Sequence, residues 1–428
     1  MTVYVVKRGD TLWSIARQFG VSVNTIVEAN GIEDLPHLVI GQALVIPGEA
    51  RTYIIRPVDS LWSVARKFGV TAERLAEYNR ISNPALIYPG LEIRIPSESK
   101  SFGNIEINAY VEYEAGEAAV GYVEEAASYL TYISPFSYQV NEDGTLNNIN
   151  DEAIIQTARN FNVAPLMIIT NFRNGNFDTQ LAHTILSNET IQQNLINNVI
   201  STMTNKGYFG LNIDFERIAP TDRQLYNNFL RRITTQLHNN NFVVSTALAP
   251  KTTDVTTGAW HGAHDYRTHG EIVDFVILMT YEWGWSGGPP MAVAPINEVR
   301  KVLNYAVSVI PRNKIMVGAP LYGYDWSLPY TPGGEWARRI SPDEAVRLAA
   351  NVGAEIQFDE TAQSPHFNYR DENGVEHVVW FEDARSMKAK NEMVANMRLK
   401  GISYWVLGEP FVQNWTLLDN MFNIVKVI

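Results

Sequence analysis

Apolar positions recur along this chain in two rhythms, and the chain divides where the rhythm changes. In the first hundred residues, short β-type runs bracket amphipathic helical stretches. The run from Tyr4 leads into a helix whose apolar residues Leu12, Ile15, Ala16 and Phe19 fall at helical spacing; a second helical stretch ends at Asn30, and Ala43 to Ile46 read as a closing strand. This β-α-α-β unit occurs twice. YVVKRGDTLWSIARQFGV, from Tyr4, returns 49 residues later as YIIRPVDSLWSVARKFGV, from Tyr53. The offset holds from Asp10 and Asp59 through Trp13 and Trp62, Asn30 and Asn79, and Gly41 and Gly90 to Pro47 and Pro96. Two modules, residues 1–48 and 50–97, are therefore expected. Trp13 and Trp62 lie on the first helix of each and are read as core packing.

A short polar stretch, SESKSFG from Ser97 to Gly103, separates the modules from a longer region, 103–428. There, β-rich runs alternate with helical patterns: Ile105 to Val111, Tyr129 to Phe136, Ala164 to Thr170, Gly210 to Phe215, Phe242 to Leu248, Val273 to Thr280, Lys314 to Leu321 and Gly401 to Leu407. Eight such runs predict an α/β fold, a (β/α)8 TIM barrel. About 327–382 interrupts the spacing before the eighth run, with a capped helix at Ser341-Pro342 and a strand at His377 to Phe381. It reads as a small α+β insertion on the C-terminal rim, forming one wall of a cleft.

Composition narrows the partners. Asp and Glu number 46 against 34 Lys and Arg, a formal charge of −12 without a long basic block, which argues against nucleic acid. The chain has no cysteine, and its eight histidines show no H-E-x-x-H spacing, so neither a thiolate site nor a zinc site is expected; metal and cofactor are both read as none. No stretch approaches a membrane span, and the opening MTVYVVKRGD lacks the apolar run of a secretory signal.

The fourth run, Gly210-Leu211-Asn212-Ile213-Asp214-Phe215-Glu216, alternates apolar and polar residues. On a strand this turns Asn212, Asp214 and Glu216 toward the barrel interior and Leu211, Ile213 and Phe215 toward the helices. Two carboxylates on one inward face at a strand's C-terminal end are costly to ionise together. One should hold a proton, or the pair should share one.

Each N-terminal repeat resembles a LysM module. That resemblance implies binding of N-acetylglucosamine-containing glycan between two loops, formed by Gly9, Asp10, Thr11, Leu12, Ile40 and Gly41 in the first copy and Asp59, Ser60, Leu61, Tyr88, Pro89 and Gly90 in the second. Val58 stands where the first copy has Gly9. The fourth run is similar to the D-G-x-D-x-D-x-E signature of family 18 glycoside hydrolases, with Phe209 and Asn212 replacing its first two Asp. Met279-Thr280-Tyr281-Glu282 resembles the M-x-Y-D motif, and Trp405 stands where the family has a Trp beneath the reacting sugar. The third-strand S-x-G-G pattern is replaced by Ile168-Ile169-Thr170-Asn171.

The resemblance implies a retaining, substrate-assisted hydrolysis in which Glu216 is acid and base, Asp214 orients the substrate acetamide and Tyr281 donates to its carbonyl. Asn212, Met279, Glu282 and Trp405 are expected to bind substrate, joined by the loop candidates Tyr110, Trp283, Tyr322 and Asp325. An inverting pair of Glu216 with Glu282 is the rival mechanism. Across its length the chain resembles the spore cortex-lytic N-acetylglucosaminidases of endospore-forming bacteria, which implies a monomer made in the mother cell without a signal peptide. It would be deposited in coat or cortex beside other spore-coat proteins and act on peptidoglycan during germination. The alternatives are a chitinase or other endo-N-acetylglucosaminidase, and a non-catalytic glycan-binding coat protein.

Overall fold

The structure, a computed structural model, describes the chain except residues 33–37, 49–50, 69, 82, 84–86, 96–99 and 101 and the side chains at 51, 74 and 77. The expected boundary from Ser97 to Gly103 lies mostly outside the described residues.

Both repeats fold as β-α-α-β units. In the first, strand Thr2–Val5 pairs antiparallel with Ala43–Ile46 around helices Leu12–Phe19 and Val23–Asn30; in the second, Arg51–Ile54 pairs with Glu92–Ile95 around Leu61–Phe68 and Ala72–Tyr78. The repeated Asn does the same work in each. The Asn30 amide donates to the carbonyls of Ile26 and Val45 and accepts from the Val45 N–H, and Asn79 does so with Leu75 and Arg94, tying the second helix to the closing strand. One expectation fails here. Trp13 and Trp62 are 64% and 63% exposed, outside either module's core, each under an arginine one turn on, Arg17 and Arg66, at 5.5 Å. The helix stripe of Leu12, Ile15 and Ala16 already fills so small a core, leaving the neighbouring Trp position facing water.

Eight parallel strands close the barrel in chain order: Asn104–Glu112, Tyr132–Phe136, Ala164–Thr170, Gly210–Asp214, Val243–Leu248, Phe275–Leu278, Ile315–Pro320 and Gly401–Trp405, the last pairing with the first. Alternation within each strand sorts the side chains. Met167, Ile169, Leu211 and Ile213 join the apolar layer under the helices, while Leu166, Ile168, Tyr132, Phe275 and Met316 fill the interior.

The insertion is a five-stranded antiparallel sheet starting at Gly323, with helix Pro342–Val352 capped by the Ser341 hydroxyl. It begins slightly before 327, because Gly323–Leu328 continues directly from the seventh barrel strand as the sheet's second strand. The first module docks on this insertion and on the last two helices of the barrel. Its closing strand turns Leu44 and Ile46 into its own core and Ala43 and Val45 into the barrel's apolar layer. Gln413 donates to the Asn30 Oδ1 and the Ala43 carbonyl, and the Ile356 N–H donates to the Ile40 carbonyl.

Candidate active site

The fourth strand ends at Asp214, and the chain then turns so that Phe215 packs against Tyr226 and Phe229 while Glu216 faces a cleft. Two side chains, Asn171 and His264, hold this turn from opposite sides. Asn171, fully buried at the end of the third strand, accepts from the Glu216 N–H at 2.9 Å and donates to its carbonyl at 2.9 Å and to that of Asp178 at 3.0 Å. From the other side the His264 Nε2 meets the Phe215 carbonyl at 3.1 Å, its Nδ1 accepting from the Ala249 N–H. Burial lowers the affinity of His264 for a second proton, to a pKa of about 4, so the ring stays a neutral bridge. Asn171, the last residue of the run that replaces the family's third-strand pattern, thus supplies a clamp for the acid's own peptide.

A cavity of about 400 Å³ opens above the strand ends, lined by Asp214, Glu216, Tyr281, Met279, Glu282, Tyr110 and Trp405 among the expected residues. Trp405 lies between Tyr110 and Phe136, ring centroids 5.3 and 4.9 Å away, forming an aromatic floor. Gly318 on the seventh strand makes room for Tyr281, whose ring carbon would lie 2.7 Å from a Cβ placed there. Asn212 lies beneath the cavity, accepting from the Tyr110 hydroxyl at 3.3 Å and donating to Ser245 Oγ at 2.9 Å. A neutral amide thus occupies the level below Asp214. Phe209 packs farther down, beside Tyr132.

Burial raises the proton affinity of both carboxyls, and the charge of Asp214 raises that of Glu216 further, against the lesser opposing effect of Arg217. Asp214 ionises first and Glu216 keeps the proton. Asp214 Oδ1 is buried and has no hydrogen-bond partner among the described residues, an acceptor available to a donor arriving with substrate. Burial, followed by the nearby charges of Asp214, Glu216 and Glu282, keeps the Tyr281 phenol protonated as a donor. Glu282, in the left-handed region at φ 65°, holds one oxygen against the hydroxyls of Tyr322 and Tyr324. Burial raises its pKa, the two phenols opposing.

Besides Asn212, three further expected residues do not reach the cavity. Tyr322 stands behind Glu282 as its donor; Trp283 packs against the barrel's apolar layer; Asp325 is bound within the insertion by Tyr369 at 2.8 Å and His377 at 2.9 Å. The insertion backs Glu282 instead of walling the cleft: among the described residues none from 323–380 lines the cavity. Beside Phe136, at the end of the second strand, the rest of the lining comes from positions just past the predicted runs or in the loops between them: Glu112, Tyr113 and Glu114, Ser137 and Gln139, Phe172 and Phe177, and Trp260. One of these was signalled in the sequence. Phe172-Arg173-Asn174-Gly175-Asn176-Phe177 is an Asn-Gly hairpin, with φ 52° and 80° at its two turn residues, that sets its two Phe rings edge to face at 5.2 Å.

In the modules, several expected groove residues serve the fold. Asp10 accepts from the Tyr4 hydroxyl and the Lys7 N–H, and Asp59 likewise from Tyr53 and Arg56; Thr11 and Ser60 exchange bonds with Ser14 and Ser63; Leu12 and Leu61 are buried. At the surface this leaves Gly9 and Val58 with the loop 88–90, while Ile40 and Gly41 lie against Ile356 of the insertion.

A carboxyl that keeps its proton beside one that does not, over an aromatic floor, is equipment for cleaving a sugar acetal, and the protein is a glycoside hydrolase. The chain belongs to glycosyl hydrolases family 18, whose sequence model matches residues 108–409, and it carries two LysM domains, at 4–47 and 53–96. It is 51% identical over 429 residues to the cortical fragment-lytic enzyme of Bacillus subtilis, covering 100% of this chain and 99% of that one. The crystal structure of the Bacillus cereus spore cortex-lytic enzyme SleL superposes with a TM-score of 0.85 at 40% identity, covering 99% of this chain and 98% of that one. A chitinase from Chromobacterium violaceum matches 74% of this chain and 98% of its own, at TM-score 0.68 and 25% identity.

Proposed function

We propose that this protein is an N-acetylglucosaminidase that degrades spore cortex peptidoglycan during germination, with the LysM modules holding the glycan. The observation that carries the mechanism is the pairing of a protonated Glu216 with an Asp214 whose buried oxygen has no partner, beside the Tyr281 phenol. Glu216 gives its proton to the glycosidic oxygen as the bond to the anomeric carbon breaks. The substrate's 2-acetamido oxygen attacks that carbon from the opposite face, while its N–H donates to Asp214 and Tyr281 donates to its oxygen. Water then opens the oxazolinium, losing a proton to the Glu216 carboxylate, and the configuration is retained.

This chemistry requires a free acetamide on the reacting sugar. Muramic lactam ties that nitrogen into a ring and cannot react; ordinary N-acetylmuramic acid keeps its acetamide but carries a bulky lactyl ether, so cleavage after N-acetylglucosamine is favoured. The substrate class and the spore setting rest on the full-length similarity to the two cortex enzymes.

Digestion of cortex fragments, borohydride reduction and mass spectrometry test the proposal. New reduced N-acetylglucosaminitol ends are expected, absent with Glu216→Gln. Reduced muramitol ends alone, or undiminished activity in the variant, would exclude it.

A further inference from the structure

The two modules are copies in sequence but not in surroundings, and the difference falls on the loop opposite the first helix. Gly41 and Gly90 are equivalent and share a positive φ, 86° and 92°. A Cβ on Gly41 would lie 1.8 Å from the Ile356 carbonyl oxygen, whereas one on Gly90 meets none of the described residues within 4 Å. In the first module the carbonyls on this edge are taken, Ile40 by the Ile356 N–H at 2.9 Å and Gly41 by Arg385 at 3.1 Å; Arg8, on the facing loop, reaches Glu355 at 2.9 Å. Val39 is 5% exposed in a cluster with Ile356 and Phe381, and its counterpart Tyr88 is 61% exposed.

The substitutions between the copies enforce this. Where the first has Ala29, Gly31, Ala43 and Val45 against the barrel, the second has Tyr78, Arg80, Glu92 and Arg94. A Cβ on Gly31 would already come within 2.7 Å of Val412, so an arginine there excludes the same docking.

We propose that the modules have divided their labour: the first is a fixed part of the catalytic body with its groove closed by the insertion, and the second alone reads the glycan. Its ligand is a chain of N-acetylated hexosamines, lying on Tyr88 and donating to the carbonyls of Pro89 and Gly90, the counterparts of the two carbonyls that Ile356 and Arg385 take in the first module. The occupant rests on the proposed glycan-binding role of the modules. The ring and these two carbonyls fit the apolar face and amide N–H of such a sugar, and the net charge of −12 fits an uncharged ligand better than a phosphate chain.

Hydrogen exchange on the full-length Glu216→Gln protein, with and without N-acetylglucosamine hexamer, tests it. Protection is expected in the segment spanning Tyr88 to Leu91 and not in Val39 to Gln42, with Tyr88→Ala weakening retention on insoluble peptidoglycan about tenfold and Tyr88→Phe restoring it. Protection of the first module's loop, alone or equally, would overturn the division while leaving glycan binding by the modules intact. Protection of neither loop, with the barrel cleft still protected, would overturn both. Unchanged retention of Tyr88→Ala would remove Tyr88 from the surface.

Discussion

Replacing Asn171 with alanine separates the positioning of the acid from its chemistry. The side chain touches no part of the cavity, yet it makes three hydrogen bonds of 2.9 to 3.0 Å, two of them to the peptide groups of Glu216. At about 0.5–1.5 kcal/mol net for each of the three bonds, the loss to folding is about 1.5–4.5 kcal/mol. The cost in rate should exceed what is expected from altered folding alone. With the clamp gone, the Glu216 peptide loses both of its own side-chain bonds and keeps only the hold of His264 on the neighbouring Phe215 carbonyl, and a displacement of about 1 Å at a proton donor costs on the order of a hundredfold. Because the acid acts only as the bond breaks, the loss should fall on kcat with KM little changed. Steady-state kinetics on soluble, reduced cortex fragments, below the variant's melting temperature, would measure it. A kcat within threefold of the parent, or a loss confined to KM, would refute the idea that Asn171 positions the acid.

Further predictions follow from the same geometry. The plot of kcat/KM against pH should be a bell with both limbs above ordinary carboxyl values, falling at low pH as Asp214 gains a proton and at high pH as Glu216 loses one; in Asp214→Asn the surviving activity should lose its alkaline limb at a lower pH, because the charge that raised Glu216 is gone. Glu216→Gln should melt higher than the parent at neutral pH by about 1 kcal/mol of stability. The sign is that of a carboxyl whose proton affinity is raised by folding: its contribution is present below the unfolded pKa and lost as pH rises through the folded one, so the advantage of Gln should vanish toward pH about 4, which calorimetry at two pH values would detect. Gly41→Ala should destabilise by about 1–3 kcal/mol more than Gly90→Ala, since both strain a positive φ and only the first collides with Ile356, as comparison of thermal unfolding would show.

The sequence made the barrel legible because each strand carries its own punctuation, an apolar run bounded by helical patterns, and because alternation on the fourth strand allows only one inward set. Asp214 and Glu216 could be placed from seven consecutive residues. Tyr281 and Trp405, carried over by resemblance, line the same cavity. Asp325 and Trp283 could not be placed, because a loop residue's direction depends on what packs behind it. Here the insertion's His377 and Tyr369 capture the first, and the barrel's apolar layer takes the second.

The first module's docking was written in its closing strand, Ala43-Leu44-Val45-Ile46, apolar on both faces where the second copy has Glu92-Ile93-Arg94-Ile95. A strand apolar on both faces must bury both. Local patterning thus determined that a second face would be covered, along with the repeats, the barrel strands and the inward carboxylates. Only the tertiary structure decided what covers it, and that Asn171 and His264, distant in sequence, close on the peptide of Glu216. Those contacts depend on where separate strands and loops meet, and local periodicity does not encode that position.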